Sequence, residues 1–417
     1  MNQRILIVNT VQLNENSGTG HTLQNIFSLL PRENLMQLIV HPDDTQPVLS
    51  DVHTVFTPVS VCKLPYSVMR KRSANTNGKN SGTQGSVNIP KKGFSAALHE
   101  VVSASLDAFP VNIAPVLQAV EDFQPQVIYT CAATMRIMQI VRALSDRYAI
   151  PVVVHLMDDW PQTIYSSSVL SAPLRQKTLG LLKQLYKRSR VSFAVSEGLC
   201  EKYEAFSDVP HLPLMNPAVI GQPPQLRKTD RPRFLYAGAL SLHRDDSLAC
   251  IAEELCALRK RGIDNEFHIY APPSQNTPAM RERFAAYGAQ LHDYVSADKV
   301  YALCRSFEVL VFTESFDPSY TRFTRFSLST KIPEYLAAGV PILAFLPDDL
   351  FSRQYLAKNE AACVCSQQNE LAEACRRLCE NHAYRENLAD RGFRLAKQAF
   401  SEQSVKEKLL TVFGEQE

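Results

Sequence analysis

Ser327-Leu-Ser-Thr-Lys-Ile-Pro-Glu-Tyr-Leu-Ala-Ala-Gly-Val-Pro-Ile-Leu-Ala344 contains one short helix and the opening of a strand. Thr330 is placed to cap the helix, and Pro333 falls in its first turn, where a missing N–H does no harm. Gly339 ends the helix and Pro341 leads into an apolar run. The helix start therefore presents free N–H groups and a positive dipole end with Lys331 beside them, an arrangement that favours a diphosphate. Glu334 stands one turn further in, where a carboxylate can accept hydrogen bonds from two adjacent hydroxyls, as on a ribose. A Lys and a Glu in isolation are better read as a solubilised helix start whose acid complements the dipole. The weight comes from the rest of the chain.

Outward from this stretch, short β-branched runs alternate with helical spacing. The expected strands are Ile5–Val8, Leu35–His41, Val127–Cys131, Val152–Leu156 and Val191–Val195. After a break come Arg233–Ala237, Phe267–Tyr270, Leu291–Val295, Val309–Phe312, Ile342–Phe345 and Ala361–Val364. Met135–Arg147, Pro173–Arg190, Ser247–Arg261, Lys299–Arg305 and Lys331–Ala338 carry a helical period, and roughly the last forty residues read as helix throughout. Strands separated by helices imply parallel sheets covered on both faces. The fold class is α/β, with two doubly wound, Rossmann-like domains facing a central cleft and ligands outside the carboxyl ends of the strands. Asn216–Pro232, with four prolines and no period, is the expected linker. Ser73–Pro90, rich in Ser, Asn and Gly, reads as a loop inside the first domain. The expected division is 1–218, 219–396 and a C-terminal helix, 397–417, packing back toward the first domain.

Bulk properties set limits. The 417 residues suffice for two domains, each with its own core. A formal net charge of +2 gives no bulk attraction for nucleic acid. The ten cysteines include no CxxC pair, and the closest two, Cys363 and Cys365, sit in an apolar run. That suits buried thiols of a reducing compartment better than a disulfide frame or a zinc site. Ile5–Val8 reads as a first strand rather than a signal peptide. No apolar stretch approaches the roughly 20 residues that span a bilayer. A cytoplasmic setting is expected, with room for peripheral contact at the inner membrane face.

The Ser329–Ile342 stretch resembles the Ser-x-Lys-x-x-Glu-Tyr-x-Ala-x-Gly-x-Pro-[Val/Ile] segment of the retaining GT-B-fold glycosyltransferases, of the family 4-like, group 1 type. The resemblance implies a metal-independent transfer of a sugar from a UDP- or GDP-sugar to a saccharide or lipid-linked hydroxyl, with retention, in polysaccharide or glycolipid biosynthesis. It places Lys331 on the donor diphosphate, Glu334 on the nucleotide ribose and Ser329 along the phosphate site. Many members carry a further Glu eight positions before the second, which touches the donor sugar. Phe326 stands there in this chain, and Glu314 is the nearest acid upstream, ahead of an insertion containing Arg322 and Arg325.

Other segments resemble the family in order. Phe234-Leu-Tyr-Ala-Gly-Ala-Leu240 and Leu242-His-Arg-Asp245 look like the start of its second domain. There Gly238 allows close backbone approach and Arg244 grips phosphate, as a cation at a helix start calls for a nearby anion. Ser17-Gly-Thr-Gly20 falls at the family's glycine-containing loop, so Gly18 and Gly20 would pass close to the donor, with a helix from Thr22 aimed at it. His155-Leu-Met-Asp-Asp-Trp-Pro161 follows a buried strand. The resemblance gives His155, Asp158 and Asp159 the task of orienting the sugar or the attacking hydroxyl, while Trp160 offers a stacking face. The alternative is an internally bonded His155 and a helix-capping Asp158. Ser196-Glu-Gly198 fits a structural turn.

From Val52 to His99 there is no acid, while Lys63, Arg70, Lys71, Arg72, Lys79, Lys91 and Lys92 are present. Such a run suits a phosphorylated lipid acceptor or an anionic leaflet, or else a solvated loop. No Asp-x-Asp triplet occurs, against the metal-dependent transferase fold. Arg244 and Lys331 would stabilise the leaving diphosphate, Asp158 and His155 would flank the reaction, and the donor would be a co-substrate rather than a cofactor. A GT-B-fold sugar-nucleotide epimerase and a catalytically weak scaffold subunit remain as alternatives.

Overall fold

A computed structural model of the chain describes residues 3–14, 17–40, 45–57, 101–102, 104–105, 107–165, 171–223 and 225–414. The Ser73–Pro90 loop and the basic residues from Lys63 to Lys92 lie outside the described residues. The chain forms two compact units. One comprises Met1–Met215 with Lys406–Glu417, the other Asn216–Val405.

In the first unit seven strands pair in parallel: β1 (Ile5–Asn9), β2 (Leu35–Ile39), β3 (His53–Phe56), β4 (Val127–Thr130), β5 (Val152–Leu156), β6 (Ser192–Ala194) and β7 (His211–Pro213). Their order is β3-β2-β1-β4-β5-β6-β7. The inner strands β1, β2, β4 and β5 are buried at every residue, as a sheet covered on both faces requires. Buried Gln37 in β2 is bonded: it accepts the Leu13 N–H at 2.8 Å and donates to Thr54 Oγ1 at 3.0 Å. β3 and β7 were not expected. They lie at the two edges, where half-exposed strands carry no apolar run, and β7 ends in the proline that an edge tolerates. The first helix starts at Gly18 rather than Thr22, because Ser17 caps it by accepting the Gly20 N–H at 3.0 Å.

The second unit carries β8 (Arg233–Ala237), β9 (Glu266–Ala271), β10 (Gln290–Asp293), β11 (Val309–Thr313), β12 (Ile342–Phe345) and β13 (Cys363–Cys365), all parallel, in the order β10-β9-β8-β11-β12-β13. Helices Arg244–Lys260 and Gln368–Glu380 pack together over one face of the sheet, with Leu248, Ile251, Leu255, Leu371 and Cys375 in the core. Ala297–Arg305, Lys331–Ala338 and His382–Ala399 pack together over the other. Ile332 and Leu336 are fully buried there, each stabilising the site helix by roughly 1.5–3 kcal/mol. Gly392 lets His382–Ala399 come close, since a Cβ at that position would stand 3.1 Å from Leu336 Cδ2. That packing keeps residues up to Val405 with the second unit, and the return to the first begins at Lys406 rather than 397. The C-terminal helical run is interrupted at Asn381, which caps its successor by accepting the Tyr384 N–H at 2.9 Å, and again near Phe400.

Among the described residues Arg385 is the largest fully buried side chain, at 1% exposure. Its Nη1 donates to Leu378 O at 2.6 Å and Cys379 O at 2.9 Å, and its Nη2 to Thr229 O at 3.4 Å. A cation so placed satisfies the last carbonyls of Gln368–Glu380, at the negative end of the helix dipole. Burial lowers the Arg385 pKa, against the pull of Cys379, Glu308 and Glu386. Arg385→Met leaves those oxygens without a donor and is expected to cost about 3 kcal/mol. Thermal denaturation checks this, and an unchanged melting point would remove Arg385 from the account.

Candidate active site

Strand order in the second sheet reverses between β8 and β11. At such a switch point the connections leave in opposite directions and open a crevice beyond the strand ends. Gly238 is the first residue past β8, and Glu314 the first past β11.

Gly238 has φ +154°, a region that side chains rarely adopt. A Cβ built there would overlap the Lys331 ammonium. Lys331 Nζ donates to Tyr236 Oη at 3.1 Å and lies 4.4 Å from the Tyr236 ring centroid. The Tyr236 hydroxyl donates to Ala239 O at 2.7 Å. Tyr335, in the same helix as Lys331, accepts the Ala237 N–H at 3.1 Å through its buried hydroxyl. The strand end, the glycine and the helix start are thus tied through two tyrosines. Among the described residues Lys331 makes no ion pair, so its charge is unspent.

The cap differs from expectation. Thr330 has helical dihedrals and makes no side-chain capping bond, while Ser329 Oγ accepts the Lys331 N–H at 3.4 Å. Glu334 is exposed one turn on. Surrounding protein raises its pKa, first by desolvation, against the pull of Lys331. Its exposure to water argues for discounting that rise. Its charge is felt at Tyr294, just past β10, and at Cys304.

Arg244 starts the helix Arg244–Lys260, preceded by Leu242 and His243, both left-handed at φ +61° and +56°. Two such residues in a row are strained by about 1–3 kcal/mol each. His243 is held by stacking on Tyr320, with ring centroids 4.5 Å apart. The cation does have its anion, but it belongs to the protein. Glu314 takes Arg244 Nε at 2.8 Å and Nη2 at 3.1 Å, a two-point pair whose side chains are 15% and 6% exposed. Burial opposes the Arg244 charge, yet Glu314, with Tyr236 adding, holds its pKa above the ordinary value. Phe326, where relatives have their sugar-contacting Glu, follows the short helix Pro318–Thr324.

The first unit gathers its candidates less tightly. His155 is 1% exposed. Its Nε2 lies 3.3 Å from Leu214 O, which can only accept, so Nε2 carries the hydrogen and Nδ1 accepts from Tyr129 Oη at 2.7 Å. Burial lowers its pKa to about 4. Both ring nitrogens are used inside the protein, so the internally bonded alternative describes His155 and the expected catalytic role does not. Asp159 is likewise buried, bonded to Lys202 at 2.6 Å and Tyr203 at 2.8 Å. Asp158 is exposed and accepts the Trp160 N–H at 2.9 Å. Desolvation by neighbouring protein, with Asp159 adding, raises its pKa, a shift to be discounted for a carboxylate open to water. Gly18 is exposed and Gly20 buried, both within the first helical turn rather than in a loop. Among the described residues no group of three His, Cys, Asp or Glu could hold a metal ion, and no helix is long and apolar enough to cross a membrane.

Sequence reasoning did not assign a role to Tyr236. The signal was a hydroxyl at the end of an apolar strand, since buried hydroxyls seek partners.

The family profile "Glycosyl transferases group 1" matches residues 231–381. No curated protein matches the sequence. Among solved structures, Anabaena HepE in complex with UDP is similar, with a TM-score of 0.63 and 13% identity over 98% of this chain and 99% of that one. An α,α-trehalose 6-phosphate synthase from Burkholderia multivorans gives 0.61 and 13%, covering 98% and 96%. Sucrose-phosphate synthase from Thermosynechococcus elongatus gives 0.60 and 12%, covering 99% and 98%.

Two outcomes follow from this geometry. Gly238→Ala is expected to cost about 1–3 kcal/mol through its dihedral strain, plus a term for expelling the Lys331 ammonium. In a Lys331→Ala background the second term vanishes. Equal losses of melting temperature in both backgrounds would show that the ammonium does not occupy the glycine's space. For His155 the unfolded pKa of 6.5 exceeds the folded value of about 4, so the unfolded chain binds more protons between them. Stability is full above pH 6.5 and falls as pH drops toward 4, by on the order of 3 kcal/mol. His155→Asn is expected to flatten the melting-temperature slope over that range, although His211, also lowered by burial, leaves a residual slope. An identical slope in the variant counts against the assignment.

Proposed function

We propose that this chain is a glycosyltransferase of the GT-B superfamily and that it moves a glycosyl group from a UDP- or GDP-sugar to a hydroxyl acceptor with retention of configuration, a reading supported by the group 1 match over residues 231–381 and by the fold. The observation that carries this reading is the Lys331 ammonium, which makes no ion pair among the described residues, packed over Gly238 and bonded to Tyr236 beside Arg244 at the strand-order reversal. Anabaena HepE has been solved with UDP and with UDP and glucose, which supports a nucleotide-sugar donor here.

In this mechanism the diphosphate lies against the start of Lys331–Ala338, with Lys331 on its oxygens and Glu334 on the ribose hydroxyls. As the bond from the anomeric carbon to the diphosphate oxygen breaks, charge grows on that oxygen. A fixed ammonium stabilises the later state more than the earlier one. The leaving phosphate takes the acceptor's proton, so no separate protein base is required. Asp158, the exposed carboxylate past β5, is retained as the residue orienting a hydroxyl, and His155 is not. The acceptor is proposed to be a saccharide or a lipid-linked sugar in polysaccharide or glycolipid assembly, with the basic stretch from Lys63 to Lys92 meeting anionic lipid in a cytoplasmic setting.

Isothermal titration with UDP and GDP tests the site. Lys331→Ala and Glu334→Ala are each expected to weaken the preferred nucleotide by about 10- to 100-fold, the worth of a charged hydrogen bond. Unchanged affinity in both variants would end this assignment. The anomeric configuration of the product, read by proton NMR, decides retention.

A further inference from the structure

We propose that Glu314 is a positioning residue for the donor diphosphate, acting through Arg244. The inference rests on the glycosyltransferase reading and deepens it, because the expected sugar-contacting Glu is absent and Glu314 is engaged elsewhere.

Glu314 directly follows β11, and its backbone is anchored: Ser247 Oγ, in the first turns of the Arg244 helix, donates to Glu314 O at 2.8 Å. Its carboxylate occupies Arg244 Nε at 2.8 Å and Nη2 at 3.1 Å. A planar guanidinium gripped along that edge has no rotational freedom left, and its remaining donors lie on the opposite side. Nη1 has only a 3.4 Å contact with Ser241 O, so it stays open to a stronger acceptor. The pair crosses the strand-order reversal, joining the loop after β8 to the end of β11. It stands beside Tyr236, whose hydroxyl receives the Lys331 ammonium.

The charges divide the work. Arg244 and Glu314 together sum to zero, so Arg244 offers an anion directed hydrogen bonds rather than net attraction. The uncompensated charge at the site is that of Lys331. A carboxylate near a diphosphate costs affinity by repulsion, whereas a disordered guanidinium costs it by losing alignment. The buried two-point geometry makes alignment the larger effect, because a buried Arg left without its carboxylate turns toward other acceptors.

The test is a double-mutant cycle read by titration with UDP and GDP on the full chain: wild type, Glu314→Ala, Glu314→Gln, Arg244→Ala and the combined variants. Glu314→Ala is expected to weaken the preferred nucleotide about tenfold, and Glu314→Gln, which keeps one acceptor, about threefold. In the Arg244→Ala background both substitutions are expected to cause no further loss, since only the repulsion of the carboxylate is then removed, a non-additivity that a merely structural role does not produce. If Glu314→Ala fails to fold, the isosteric Glu314→Gln decides by the same cycle. Tighter or unchanged binding in the single variants, or losses that add fully to that of Arg244→Ala, overturns the proposal. If those losses add while Lys331→Ala still abolishes binding, the inference fails and the function stands. If wild type binds neither nucleotide, both fall.

Discussion

The absent side chain at Gly238 is the constraint on which the second unit's site depends. An ammonium brought close to a strand end needs volume that any Cβ would fill, and the backbone there takes a dihedral that only glycine adopts freely. Given that space, Lys331 reaches the Tyr236 hydroxyl, and Tyr236 in turn bonds Ala239 O in the loop it precedes. Tyr335 locks the helix carrying Lys331 to Ala237, one residue before the glycine. Two hydroxyls and one hydrogen atom therefore set where the charge stands, and the apolar packing of Ile332 and Leu336 keeps it there.

Electrostatics then separates two cations that look alike in sequence. Lys331 has no carboxylate paired to it among the described residues, whereas Arg244 is neutralised at two points by Glu314. Arg244, a cation at a helix start, does have an anion beside it, and the protein supplies that anion as Glu314. The same helix carries Asp245 and Asp246 in its first turn, both paired with Arg283. Its positive end is thus already compensated, while Lys331–Ala338 has only Glu334 nearby. On the proposed reading, anion affinity resides mainly with Lys331 and geometric selectivity with Arg244.

What the sequence disclosed follows from the period of its buried residues. The inner strands are apolar at nearly every position because both faces of their sheets are covered, so they stand out. The edge strands His53–Phe56 and His211–Pro213 do not, because half of each faces water. The helix Lys331–Ala338 was legible to the residue from Pro333 and Gly339, but its cap was assigned to Thr330 when Ser329 makes the bond, a difference of one residue that only the chain path decides. His155 illustrates the harder limit. A histidine near a strand end reads the same whether it faces solvent or turns inward to Tyr129 and Leu214, and the bonding partner lies 59 residues away in the chain. Glu314 was visible as an acid, but its partner, 70 residues distant, was not.

Comparison of the two strand-order reversals shows why the diphosphate is proposed to lie in the second unit rather than the first. In the first sheet the reversal falls between β1 and β4, where Asn9 Oδ1 accepts the Cys131 N–H at 2.9 Å. Among the described residues that follow these strands, 10–14, 17–20 and 131–134, there is no Lys or Arg, and the nearest, Arg136, turns to Asp107 at 3.8 Å. An anion placed there would meet one helix N-terminus and no cation. The second unit has the same strand order around its reversal, which carries an ammonium with no ion pair among the described residues, a glycine that makes room for it and a guanidinium held by Glu314. Topology builds a crevice in each unit, and the placement of two basic side chains decides which of them holds charge.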